Sequence, residues 1–192
     1  GTSDTANAVC QTLGAARTFK VSRSGKDGHL TYEDAINNAK AAEVIINTTP
    51  CGMYPDNYSK AIDLEHFPNL EVIEKNAFNG NKNISGSIDL PALIEIGETA
   101  FNGCSAITSF TAPLAQTIGA SALASCSKLT AVYFDSVKTV GDSAFSSCSS
   151  LNEAYMPNVE TIGKACFKSC ASLKAFSSEK LTTMGEDCFY AA

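Results

Sequence analysis

Val137-Lys-Thr-Val140-Gly141-Asp-Ser-Ala144-Phe145-Ser-Ser-Cys148-Ser-Ser-Leu151-Asn-Glu-Ala154-Tyr155-Met156-Pro157 is one copy of a pattern that fills the larger part of the chain. Its centre is a small residue followed by an aromatic or leucine. The same pair stands at Ala77-Phe78, Ala100-Phe101, Ala122-Leu123, Ala144-Phe145, Cys166-Phe167 and Cys188-Phe189, with a first step of 23 residues and later steps of 22. Gly97, Gly119, Gly141, Gly163 and Gly185 keep the beat, and so do Cys104, Cys126, Cys148 and Cys170. Aliphatics open the units at Leu70, Leu93, Leu114, Val137, Val159 and Leu181, and a second column runs Ile73, Ile96, Ile118, Val140, Ile162, Met184. A third runs Ile84, Ile107, Leu129, Leu151, Leu173.

One unit cannot bury its apolar side alone, but stacked units bury each column against its own copy and so build a continuous core. Each unit ends in apolar-x-apolar alternation, as in Val132-Tyr-Phe134, which is the spacing of a strand. The sequence therefore predicts parallel strands, one per coil, with Pro91, Pro113 and Pro157 just past them, where a missing N–H is tolerated. The Gly column is expected at a tight turn or a positive φ. The Ala-Phe-x-x-Cys stretch suits a turn or a single helical turn. Ile84-Ser-Gly-Ser-Ile88 holds the one extra residue and reads as a bulge. A period in the twenties with recurring Leu and a Cys column is that of leucine-rich repeats. The consensus resembles the cysteine-bearing bacterial repeats of the BspA-like, or Treponema pallidum, type, over about residues 68–192. That resemblance implies a curved solenoid, non-enzymatic protein interaction or adhesion, and display outside the cell.

The four columnar cysteines fit a buried ladder of free thiols acting as small apolar side chains. Strand spacing brings neighbours toward disulfide range, but all four point the same way. Cys166 and Cys188 replace Ala in the adjacent column and fit the same reading. A metal centre needs converging pairs, and His29 and His66, the chain's two histidines, lie outside the repeats, so no metal site is expected.

Residues 1–66 do not share the repeat. Thr5–Leu13 and Thr31–Ala42 read as helices, and Thr18–Ser22 and Val44–Thr48 as strands, the order of a doubly wound α/β unit. Ala42-Glu-Val-Ile-Ile-Asn-Thr-Thr-Pro-Cys-Gly-Met-Tyr-Pro55 resembles a shikimate dehydrogenase signature, and Ser22-Arg-Ser-Gly25 sits where that family places an Arg against the NADP 2′-phosphate. The resemblance implies Arg23, Thr48, Thr49 and Met53 along a cofactor site, and a cytoplasmic location. The family's substrate domain, its catalytic Lys and Asp and the first phosphate-loop glycines are missing from the sequence. The segment is expected to serve as an N-terminal cap or to be a recombination remnant, with NADP binding by a dehydrogenase remnant as the alternative function. The overall expectation is an α/β chain: a partial Rossmann-like segment over 1–66, then a leucine-rich-repeat solenoid of about six units over 67–192.

Composition narrows the function. The formal net charge is −6 with 14 Lys and Arg scattered along the chain, so no basic stripe offers itself to nucleic acid or to an anionic membrane. No apolar run approaches the ~20 residues of a membrane helix. The chain opens at Gly1-Thr2 rather than at Met, as a processed form or a fragment would, so its start says nothing about compartment. On the strand face the outward column reads Asp89, Thr111, Tyr133, Tyr155, Ser177, and the one before it Ser109, Ala131, Glu153, Ala175. Thr111, Tyr133, Glu153 and Tyr155 are the candidate contacts for a protein or glycan. Stacked tyrosines make good anchors, although cross-strand pairing alone also places them so. With no His in the repeats and Glu153 the one carboxylate beside the tyrosines, neither a Ser–His–Asp arrangement nor the usual pair of glycosidase carboxylates is available, and no catalytic residue is assigned.

Overall fold

The computed structural model describes the backbone at Val44–Ile45, residue Leu64, and residues 67–192. The repeats stack as successive coils with two strands per coil rather than the single strand expected. The longer strands are β3 (Ser85–Asp89), β5 (Ala106–Thr111), β7 (Ala131–Tyr133), β9 (Glu153–Tyr155) and β11 (Ala175–Ser177), and they form one parallel sheet in chain order. Two-residue strands form the other: β1 (Val44–Ile45), β2 (Val72–Ile73), β4 (Glu95–Ile96), β6 (Thr117–Ile118), β8 (Thr139–Val140), β10 (Thr161–Ile162) and β12 (Thr183–Met184). Two paired residues carry too little alternation to be read as a strand from sequence, which is why this sheet was not foreseen.

The third side of each coil is the Ala-Phe-x-x-Cys stretch, and it is a run of turns. Alternate amides leave for the next coil: Asn76, Phe78 and Gly80 donate to the carbonyls of Glu98, Ala100 and Asn102. The amides between them close short turns, Ala77 to Glu74, Asn79 to Asn76 and Asn81 to Phe78. A helix cannot propagate when every second N–H is used between coils. Among the described residues there is no α-helix, so the expected α/β class gives way to a parallel β-solenoid. The expected Rossmann-like segment over 1–66 lies outside the described residues except at β1. There Val44 pairs with Val72 and Ile45 with Ile73, so a strand from before the repeats continues the short-strand sheet past the first coil.

The core is the columns laid on themselves. Ile73, Ile96, Ile118, Val140 and Ile162 are buried, and Ala77, Ala100, Ala122 and Ala144 leave room beside them for the rings. Phe78 stacks on Phe101 at 5.2 Å, Phe145 on Phe167 at 5.2 Å and Phe167 on Phe189 at 5.3 Å. Leu123 interrupts this column, and the ring contacts detour through the strand side: Phe101 meets Phe110 at 5.2 Å, Phe110 meets Phe134 at 5.7 Å, and Phe134 meets Phe145 at 6.3 Å. One column was assigned one residue off. Leu114 is 53% exposed, and Ala115 fills the buried position between Leu93 and Val137. The alternative fails because a 22-residue coil fixes the inward position, whatever the hydrophobicity of its neighbour.

The Gly column is also corrected in part. None of its members has a positive φ; what requires glycine is the close approach of the preceding coil. A Cβ on Gly141 would fall 2.5 Å from the Ala120 amide nitrogen, at the point where Gly141 N–H donates to Ile118 at 2.8 Å. Positive φ occurs instead in two columns that flank the Phe. One runs Asn76, Thr99, Ser121, Ser143, Ala165, Asp187; the other runs Gly80, Gly103, Ser125, Ser147, Ser169, Ala191. The expected irregularity near Gly86 is present: the β3–β5 register shifts between Gly86 and Ser87, and Gly86 takes φ +84°.

Candidate binding face

The five-stranded sheet sets the register of the face. Asp89 pairs with Thr111, Thr111 with Tyr133, Tyr133 with Tyr155, and Tyr155 with Ser177. The inward partners Phe110, Val132 and Ala154 are fully buried, and this fixes the outward direction of their neighbours. Thr111, Tyr133, Glu153 and Tyr155 are therefore brought together on this face. Tyr133 and Tyr155 are each 37% exposed, and their ring centroids lie 6.4 Å apart with the planes tilted by 46°. Glu153 pairs in register with Ala131 on one side and Ala175 on the other. It is thus the diagonal neighbour of Tyr133, whose hydroxyl donates to Glu153 Oε2 at 3.1 Å. That bond, and then the charge of the carboxylate, hold the Tyr133 phenol above its ordinary ionisation range. Sequence reasoning named both residues and missed the bond, which the diagonal rule for facing strands would have supplied. Nearby, the Ser87 and Ser109 hydroxyls share a hydrogen bond of 2.6 Å.

The four cysteines of the ladder are free thiols, as expected. Each donates to a carbonyl of the preceding coil: Cys104 to Phe78 at 3.0 Å, Cys126 to Phe101 at 3.3 Å, Cys148 to Leu123 at 3.1 Å and Cys170 to Phe145 at 3.1 Å. Burial pushes the Cys104 and Cys170 thiols up to about 12. A bond with Cys126, reinforced by burial, raises Cys148. At the last coil a hydrogen bond with Cys166 lowers Cys188 to about 7, while burial raises Cys166. The ladder has an unforeseen first member. Asn81 stands 23 residues before Cys104, is 1% exposed, and accepts from the Asn83 amide through Oδ1. Its Nδ2 has no partner among the described residues.

Among the described residues no group of three or more His, Cys, Asp or Glu is placed to hold a metal, and no helix is long and apolar enough to cross a membrane. Arg23, Thr48, Thr49 and Met53, the residues implied for NADP, lie outside the described residues.

A family model for the BspA type leucine rich repeat region matches residues 59–192 in six copies. The chain belongs to the BspA-type leucine-rich repeat family. Three solved bacterial structures are similar to this BspA-type chain. A leucine rich cell surface protein from Faecalibacterium prausnitzii shares 22% identity over 64% of this chain and 40% of its own, with a TM-score of 0.43. The Treponema pallidum leucine rich repeat protein shares 20% over 60% of this chain and 67% of its own, with a TM-score of 0.45. A leucine-rich repeat protein from Bacteroides ovatus shares 22% over 74% of this chain and 47% of its own, with a TM-score of 0.42. The BspA-type chain thus aligns with less than half the length of the first of these. No curated protein matches the sequence.

Proposed function

We propose that the chain is a non-catalytic binding module that engages a protein through the five-stranded face, with Tyr133 and Tyr155 as its anchors. The observation that carries this reading is the side-by-side pair of exposed tyrosines, flanked on the face by Glu153 and by the small residues Thr111, Ala131, Ala175 and Ser177. Aromatic side chains that are rigid and partly exposed supply contact area at low entropic cost, and binding energy concentrates on such residues. Packing does not account for their choice, because Thr111 and Ser177 serve the same sheet positions. Surface display and adhesion are part of the proposal, supported by the description of the Faecalibacterium relative as a cell surface protein.

The test is selection from a random peptide library displayed on phage, with the folded chain as bait. Peptides retained by the wild type are expected to lose about tenfold or more in affinity for Tyr133→Ala and Tyr155→Ala. Both variants are expected to melt as the wild type does. Selected peptides that bind both variants unchanged would remove the face from the reading, and a large loss of melting temperature would show the tyrosines to be packing residues.

A further inference from the structure

Glu153 is an unusual neighbour for two tyrosines. Its in-register partners on both sides are alanines, and the long side chain that reaches its carboxylate is that of the diagonal Tyr133. The ion pairs among the described residues are Lys75–Glu98 and Lys164–Glu186, both on the turn side of the coils. Glu153 has no ion-pair partner among the described residues. One of its oxygens accepts from Tyr133, and this bond fixes the carboxylate beside the rings. The other has no protein donor among the described residues. An anchored carboxylate without a counter-ion, next to two aromatic faces, is complementary to a planar cation: the carboxylate takes the fork of N–H donors and a ring takes the face.

The geometry points to the corner of Tyr133, Glu153 and Tyr155 as a site for the guanidinium of an arginine side chain on a partner protein. This rests on the reading of the five-stranded face as the binding surface and adds the chemistry of what it recognises. Thr111 and Ser177 bound the tyrosine pair along one column, and Ala131 and Ala175 bound Glu153 along the other. The site is therefore the size of one side chain. A net charge of −6 attracts a basic partner at long range.

Titration of the isotope-labelled chain with acetyl-Gly-Gly-Arg-Gly-Gly-amide, followed by amide NMR shifts, tests this. Saturable shifts are expected at Tyr133, Glu153 and Tyr155. The citrulline peptide, which keeps the shape but not the charge, is expected to bind about tenfold more weakly. Glu153→Gln is expected to lose a similar factor at unchanged melting temperature, Tyr155→Phe to keep the binding, and Tyr155→Ala to lose it. Equal binding of the arginine and citrulline peptides, or shifts confined to other coils, overturns the proposal. Library-selected peptides that need both tyrosines but contain no arginine also overturn it, while leaving the binding face intact.

Discussion

Tyr133 keeps its proton longer than a free tyrosine because Glu153 accepts it and because a phenolate there would face a carboxylate. The folded chain holds this proton more tightly than the unfolded chain does. The stabilisation linked to it is therefore complete below the ordinary value of 10.0 and is lost as pH rises through the higher folded value. Ultraviolet titration of phenolate absorbance is expected to show one tyrosine ionising late, and Glu153→Gln to return it to the ordinary range. If the late transition persists in that variant, the hydrogen bond is not its cause. At this scale the sequence was a good guide to identity and a poor one to conformation. Tyr133, Tyr155 and Glu153 could be placed from alternation alone. Leu114 could not, because hydrophobicity favours it over Ala115 and only the fixed length of the coil decides against it. Residues such as Thr99 and Ser147 gave no sign of their positive φ, since neither is a type that favours it.

A coil is held to its neighbour by three backbone ladders, and the Gly column marks where two backbones come nearest. Gly141→Ala must push the Ala120 amide away from 2.5 Å, a form of overpacking expected to destabilise by about 1–3 kcal/mol. Gly80→Ala meets nothing within 4 Å and has only its φ of +73° to resist, expected to cost about 1–2 kcal/mol. Urea denaturation separates them: in Gly141→Ala the loss comes from coil separation, so replacing Ala120 by Gly should leave it in place, because the contact is with backbone. A fully tolerated Gly141→Ala would show that the coils slide apart freely. The element level was half legible in the sequence. Longer strands announce themselves by alternating side chains, whereas the two-residue strands and the turn ladder are backbone features with no side-chain signature beyond the glycines.

The stack as a whole is stabilised from the middle outward. Coils with neighbours on both sides bury their columns completely, whereas at the last coil Met184 is 57% and Tyr190 61% exposed. Thr183 and Gly185 still donate to Glu160 and Ile162, but in the described structure nothing packs on the far side. Stability in such arrays is a sum of unit and nearest-neighbour terms, so amides of the last coil are expected to exchange with solvent about tenfold or more faster than those of Gly119 and Gly141. Uniform protection across the coils in a hydrogen-exchange experiment would mean that the array opens as one body. The repeat made this architecture readable because each column reports the same environment many times. Residues 1–66 have no such redundancy, and their one described strand, β1, joins the sheet through backbone pairing.

The in-register stack has a genetic corollary. Because every coil presents to the next the same surface that it receives from the last, duplicating one coil's codons in frame adds a layer without disturbing any existing contact. The tyrosine pair shows how recognition can then diverge, since a duplicated layer is free to change its two outward positions while its inward ones stay bound by their neighbours.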